Sequence, residues 1–156
     1  MKPLAFLLVF LPLARTIPFA HAEEQESRQC DFEAKRGCVA GDARVTLAHG
    51  AVTRVEVEVI WCNRQRGAPG YTCTVDSSRD DDESAWSEEA GATVITNSSV
   101  SPDLHELDTI KVTVGPDVTI DLNGAISRWR CGAGAELPQT IVIPAQGKVC
   151  RARFGD

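Results

Sequence analysis

Apolar and polar residues alternate along the stretch that runs from Thr109 to Leu122. The apolar positions are Ile110, Val112, Val114, Val118, Ile120 and Leu122. A period of two residues is typical of a half-buried strand. Gly115-Pro116 divides the stretch into two strands, and Asn123-Gly124 is typical of a two-residue hairpin turn. The pattern therefore predicts a three-stranded meander that continues from Ala125 to Cys131.

In the third of these strands, pairing across the turn sets which side chains face the core. The inward residues would be Ser127, Trp129 and Cys131, and the outward residues Ile126, Arg128 and Arg130.

The segment from Arg44 to Cys62 shows the same alternation on both sides of His49-Gly50. This pattern predicts a second hairpin, because Gly50 suits the left-handed position that short hairpin loops use. Matching the inward faces of its two strands requires a loop of about three residues. His49 would then lie exposed at the tip, with no acid near it in sequence, which is a poor setting for a catalytic base.

Shorter alternating runs predict further strands at 71–76, 92–97, 139–143 and 148–154. The helical signals are short: Ser84–Ala90, with Gly91 as its stop and Trp86 turned onto the sheet, and a turn that begins at Ser101. Glu23–Gln29 has no apolar residue and is expected to fray, whereas Phe32 anchors the next segment to the core. The fold class predicted is all-β: a small antiparallel β-sandwich or barrel of eight to nine short strands.

The first residues are typical of an export signal. Lys2 precedes an apolar run from Leu4 to Leu13, and Ala20-His21-Ala22 offers the small residues that a signal peptidase requires. The run is too short for the roughly 20 residues that span a bilayer. We therefore expect a secreted or periplasmic protein without membrane insertion, with residues 1–22 as the signal, 23–42 as an arm and first cystine loop, and 43–156 as a single β domain.

All six cysteines lie after the predicted cleavage site, and an even number in an exported protein favours three disulfides. Six thiols allow 15 connectivities. Pairing in sequence order is expected, because each pair flanks a predicted turn or hairpin. The expected bonds are Cys30–Cys38, Cys62–Cys73 and Cys131–Cys150, which would brace the domain and leave no thiol for catalysis.

Charge excludes some classes of partner. The full chain has a net charge of −6, and loss of Lys2 and Arg15 with the signal makes it −8. Such a charge opposes general binding to nucleic acid or to an anionic membrane surface. The acids are concentrated between Asp76 and Asp108, where Arg79 is the only base. Solvated loops explain this excess, and the alternative is a dipolar surface that meets a charged partner.

Metal and catalytic motifs are weak. The chain has no C-x-x-C pair, so the spacing of a structural zinc site is absent. The acidic run Asp80–Glu83 lacks the alternate acids and distal glutamate of a calcium loop. His105, Glu106 and Asp108 are the one close group of histidine and acids, and ordinary surface is the favoured interpretation. No cofactor, metal or catalytic residue is assigned.

Two groups of arginines are candidate binding residues. If Cys131 bonds Cys150 between neighbouring strands, the outward arginines would form one cluster suited to a carboxylate or phosphate. Its members are Arg128, Arg130, Arg151 and Arg153. Neutralisation by nearby acids is the competing interpretation. Arg64 and Arg66 lie in the loop that follows Cys62, which is either a recognition element or a plain hairpin loop.

The function expected from these features is an exported, non-enzymatic binding or inhibitory module that recognises a basic protein, for instance a cell-wall hydrolase, or an anionic glycan. A glycosidase-like hydrolase is the first alternative, because two acids need only be 5 to 10 Å apart in the fold. The acid pairs considered are Asp103 with Asp108, and Asp121 with Glu136. An envelope structural protein is the second alternative, and the oligomeric state stays open.

We predict that the exported protein begins at Glu23 and carries no free thiol. Intact mass of secreted material, with and without alkylation under denaturing, non-reducing conditions, tests both statements. A label on any cysteine would contradict the three-disulfide arrangement.

Overall fold

The computed structural model describes residues 25–34, 38–63, 68–97, 107–125, 130–132 and 136–155, and these contain ten strands in two antiparallel sheets. The strands are β1 Gln25–Ala34, β2 Val39–Ala48, β3 Ala51–Asn63, β4 Ala68–Ser78, β5 Ser84–Glu89, β6 Ala92–Asn97, β7 Asp108–Val114, β8 Val118–Asp121, β9 Thr140–Ile143 and β10 Arg151–Arg153. The first sheet has the order β1-β2-β3-β4, and the second sheet has the order β10-β9-β8-β7-β6-β5. The predicted all-β, sandwich-like class is confirmed.

Each sheet is a meander, since every strand pairs with its neighbours in sequence. The predicted hairpin at His49-Gly50 is confirmed, but its loop has two residues, with Ala48 paired to Ala51. Both turn residues have positive φ, 52° and 78°. A bulge between Thr46 and Leu47 supplies the one-residue shift that a three-residue loop would have given.

The inward positions of both sheets are filled by β-branched residues. The largest fully buried side chains are Val39, Val45, Val52, Val55, Val57, Val59 and Val75 from the first sheet, and Ile95, Ile110, Ile120, Ile141 and Ile143 from the second. Side chains of this type keep few rotamers and fit a pleated surface, so they lose little freedom when two sheets pack. The hydrophobic core lies between the sheets.

The third strand predicted for the meander, Ala125–Cys131, is wrong where the chain is described, and residues 126–129 lie outside the described residues. Thr140–Ile143 pairs with β8 in its place, and Arg130 and Cys131 have helical backbone. Gly124 turns the chain across the start of β7, where its carbonyl accepts a hydrogen bond from the Thr109 amide at 3.0 Å. A Cβ at Gly124 would meet the Thr109 hydroxyl at 2.0 Å, so glycine is needed for this close passage rather than for a hairpin.

The helix predicted at Ser84–Ala90 is also wrong, because this segment forms β5. Ala90 and Gly91, with φ of 50° and 81°, make the two-residue turn into β6. The glycine interpreted as a helix stop is therefore a hairpin residue. Trp86 packs against the core, as expected.

The expected frayed terminus is wrong from Gln25 onward. Gln25–Gln29 pairs with β2 residue by residue, from Gln25 opposite Ala48 to Gln29 opposite Arg44. Backbone hydrogen bonds hold this edge strand, and they do not require apolar side chains. The pattern of apolar residues therefore could not predict the strand. Residues 25–34 and 39–42 accordingly belong to the same sheet as residues 43–48, 51–63 and 68–78.

None of the expected disulfide pairings is correct. The bonds are Cys30–Cys150, Cys38–Cys62 and Cys73–Cys131, with sequence separations of 120, 24 and 58. Pairing follows strands that adjoin in space: β1 meets the chain before β10, where the Asp31 amide donates to the Lys148 carbonyl at 2.7 Å. All six cysteines are bonded, which is typical of proteins in an oxidising, extracellular environment. In the described residues, no helix is long and apolar enough to span a membrane.

We predict that the disulfide that closes the longest loop of chain, Cys30–Cys150, stabilises the fold most. In the chain-entropy account, replacing Cys30 and Cys150 with alanine lowers the free energy of unfolding by about 5 kcal/mol, and replacing Cys38 and Cys62 by about 3.5 kcal/mol. Urea denaturation of the two double variants measures the difference. Equal losses would show that native contacts, not chain entropy, set the contribution of each bond.

Candidate functional site

The outer face of the first sheet carries an excess of acids, and we call it the acidic face. Its charged side chains project away from the core at every second position of β1 to β4. They are the acids Asp31, Glu33, Asp42, Glu56, Glu58 and Asp76 and the bases Arg44 and Arg54. The strand register places these side chains in rows that cross the sheet.

The close ion pairs of this face lie in two adjacent rows, the row of Arg54 and the row of Arg44, Glu56 and Asp76. Arg54 binds Asp76 through two hydrogen bonds, at 3.1 and 2.8 Å, and lies 3.2 Å from Glu56. Arg44 lies 3.9 Å from Glu56 and donates to Gln29 at 3.2 Å. The hydrogen bonds that Arg54 donates to Asp76, and then the charges of Asp76 and Glu56, raise the pKa of Arg54 above its usual value. The charges in these two rows are largely neutralised.

The next row has no such compensation. Asp31 lies directly opposite Asp42, and Asp42 lies directly opposite Glu58. Within the described residues, no base makes a hydrogen bond or ion pair with any of these three acids. Like charges directly opposite each other on adjacent strands destabilise a sheet. This acid row therefore opposes folding.

The backbone pattern makes the contact between Asp31 and Asp42 especially close. The Asp31 amide and carbonyl bond to Lys148 and Cys150, outside the sheet, at 2.7 and 2.8 Å. Asp31 and Asp42 must then be a non-hydrogen-bonded pair, the type in which Cα atoms approach to about 4.5 Å and side chains are nearest. Their carboxylates repel at the shortest cross-strand spacing.

Two surface hollows lie near the acid row. A groove of about 720 Å³ begins at the neighbouring row, where Arg44 and Glu56 line it, and its lining contains no residue of the acid row. A hollow of about 450 Å³ lies on the other side, next to Glu33 and Val149. Val149 is 73% exposed, which is high for an apolar residue. The face thus offers concave surface and one apolar contact around a band of negative charge.

The candidate anion-binding arginines do not share one setting. Arg130 forms a buried ion pair with Asp108, whose carboxylate also accepts from Asn97 at 3.1 Å. Arg151 is exposed and pairs with Asp117 at 3.1 Å, and Arg153 is exposed on β10. The Cys131–Cys150 bond that was to join their strands is absent, so the basis of the predicted cluster is removed.

The remaining arginine candidates, Arg128, Arg64 and Arg66, lie outside the described residues. His105, Glu106 and Asp103 lie outside them as well.

The interpretation of Asp108 as ordinary surface is wrong. Its side chain is 1% exposed, and Arg130, 22 residues later, neutralises it. Nothing in the local pattern signals this long-range pair. Among the other acids considered for hydrolysis, Asp121 accepts hydrogen bonds from the backbone and side chain of Asn123 at 2.9 and 2.7 Å. Asp108 and Asp121 thus have structural partners.

His49 is exposed at a hairpin tip, as expected, but the fold brings an acid near it. A hollow of about 540 Å³ is lined by His49, Arg79 and Glu88. Glu88 bonds Arg79 at 3.1 Å and Thr93 at 3.0 Å. Arg79 also donates to the Val52 carbonyl at 2.7 Å, so this group braces the junction between the sheets.

Metal ligands are also absent from the described part of the chain, which contains no group of three or more His, Cys, Asp or Glu side chains able to hold an ion. The acidic run Asp80–Glu83 falls within this part. Asp81 there accepts from the Glu83 amide at 3.0 Å, which shapes the turn between the sheets.

Comparisons with protein-family models, curated proteins and solved structures find no match to this chain.

We predict that Asp42→Asn stabilises the protein, because it removes repulsion from both Asp31 and Glu58. The free energy of unfolding should rise by about 0.5 kcal/mol, and more at low salt. Asp76→Asn on the same face should lower it, because Arg54 loses its bidentate partner. Urea denaturation at two ionic strengths tests both variants, and a loss of stability in Asp42→Asn would show that the acid row is not repulsive.

Proposed function

We propose that this protein is a non-enzymatic binding module that docks a cationic protein on the acidic face of its first sheet. The observation that carries the proposal is the uncompensated row of Asp31, Asp42 and Glu58. A basic side chain of a partner, placed over this row, would relieve repulsion within the free protein and form new ion pairs. The gain on binding would therefore exceed that of an isolated surface pair.

A basic partner fits better than an anionic glycan. Arg44 and Arg54 on this face are engaged by Glu56 and Asp76, and Arg130 and Arg151 have carboxylate partners elsewhere. The outer face of the second sheet carries the bases Lys111, Arg151 and Arg153, and it has fewer acids than the acidic face of the first sheet. The molecule is therefore polarised between its two faces. Such a field orients an approaching cationic protein toward the first sheet and speeds encounter.

An inhibitory role follows if the partner is an enzyme. A cationic cell-wall hydrolase is one example, since a rigid sheet that covers part of a basic surface can block access to a cleft. The disulfides suit this role, because they fix the conformation of the sheet before binding. Little conformational entropy is then lost when the partner binds.

Binding to two cationic probes, a lysozyme and cytochrome c, tests the proposal by calorimetry at low and high ionic strength. Either probe should bind more weakly as salt rises. Asp42→Lys should raise the dissociation constant about tenfold, equivalent to ~1.4 kcal/mol. Inhibition of lysozyme turnover tests the inhibitory role separately.

Glu89→Lys is the matched control, because it makes the same charge change at an exposed position of β5 in the second sheet. It should reduce affinity much less than Asp42→Lys. Equal effects would show that net charge alone drives binding, and no salt-sensitive binding to either probe would contradict the proposal.

A further inference from the structure

The two sheets present four edge strands, and three of them are protected against pairing with another chain. β10 has only three residues. β5 turns the charged Glu88 toward Arg79 at the junction of the sheets, and β4 contains Pro69 beside a shift in its register with β3. Short strands, inward charges, prolines and bulges are the usual means of blocking an edge.

Along Gln25–Gln29, β1 also has inward charges, but Glu26 and Arg28 are of opposite sign and do not repel a second copy of the strand. This half of the strand has no proline, no lysine and no bulge in its register with β2. Gln25, Glu26, Ser27 and Gln29 are exposed. Among the described residues, the outer edge of β1 is paired only at Asp31, by the segment that contains Val149.

The direction of the backbone N–H and C=O groups shows which of them are available for pairing at this edge. Asp31 directs its amide and carbonyl outward, to Lys148 and Cys150. Successive residues of an antiparallel strand alternate between the two neighbours, so Gln25, Ser27 and Gln29 also direct their backbone groups outward. Three donors and three acceptors thus stand in line, with the spacing that another strand requires.

The side chains of this stretch are complementary to themselves. When two copies of β1 run antiparallel about Ser27, each Gln25 lies opposite the other copy's Gln29, and each Glu26 lies opposite the other copy's Arg28. The outward backbone groups then pair with one another, Ser27 with Ser27 and Gln25 with Gln29. Glu26 and Arg28 become non-hydrogen-bonded pairs, which place opposite charges at the nearest cross-strand spacing.

Within one chain, Glu26 and Arg28 are already ion-paired on the same side of β1, and Arg28 also donates to the Pro116 carbonyl at 3.4 Å. A carboxylate has two oxygens and a guanidinium five N–H groups, so each side chain can take a second partner. The ion pair between Glu26 and Arg28 within each chain therefore need not break when the two copies meet.

We propose that the occupant of this edge is a second copy of the chain, and that two first sheets join through β1 into one eight-stranded sheet. The interface is isologous, because the same residues meet on both sides of a two-fold axis. An axis perpendicular to the sheet keeps both acidic faces on one side of the dimer. The inference does not depend on the proposed function, since it rests on backbone phase and on Glu26 and Arg28.

Sedimentation equilibrium of the exported protein across a concentration series tests the dimer. Ser27→Pro removes an outward amide without disturbing the ladder to β2, so it should abolish dimers while leaving Tm nearly unchanged. Ser27→Ala keeps that amide and should dimerise as the natural chain does. A monomer at every concentration, or a dimer that survives Ser27→Pro, would overturn the proposal.

A mixing experiment separates pairs between copies from pairs within one chain. Glu26→Arg and Arg28→Glu should each be monomeric, since each variant opposes like charges across the axis. Mixed in equal amounts, they should form a heterodimer, in which arginines of one copy face glutamates of the other. Neither chain regains its internal pair in the mixture, so a mixture that stays monomeric would contradict the assigned register.

Discussion

The cross-link between the first strand and the residue that precedes the last strand is the constraint on which the rest of the structure depends. Cys30–Cys150 and the backbone bonds of Asp31 hold one edge of the first sheet against one edge of the second. Between these points the chain forms two consecutive meanders, joined at the opposite side by the turn after β4, where the Arg79 amide bonds the Thr53 carbonyl at 2.9 Å. The valines of one sheet and the isoleucines of the other are thereby kept face to face.

Because the core and the disulfides hold the two sheets together, the outer face of the first sheet can carry charges that lower the stability of the fold. The inward positions supply the burial that drives folding, and the disulfides reduce the entropy of the unfolded chain. The repulsion between Asp31, Asp42 and Glu58 can therefore be tolerated. Residues that break a local rule without a compensating contact are where binding function is expected. The acid row is such a place, whereas the buried pair of Asp108 and Arg130 is fully compensated.

Alternation predicted the strands in which one face is buried and the other solvated. It succeeded for β7 and β8, for β3, and for β2 from Arg44 onward, because apolar and polar residues alternate there. It failed for Gln25–Gln29, where backbone pairing acts alone, and for Ala125–Cys131, where β9 competes for the same edge. The disulfides and the acid row could not be predicted, since both depend on which strands become neighbours. Local sequence around Asp31 or Cys150 does not contain that information.

The most direct test of the account is a map of the surface that a cationic protein contacts. Amide shifts of the isotope-labelled protein, followed during titration with lysozyme at low ionic strength, give this map residue by residue. The account predicts that the shifts concentrate at Asp31, Asp42 and Glu58 and in the adjoining hollow beside Val149, and that added salt reverses them. Shifts that concentrate on the outer face of the second sheet, or that spread evenly over both faces, would contradict the account.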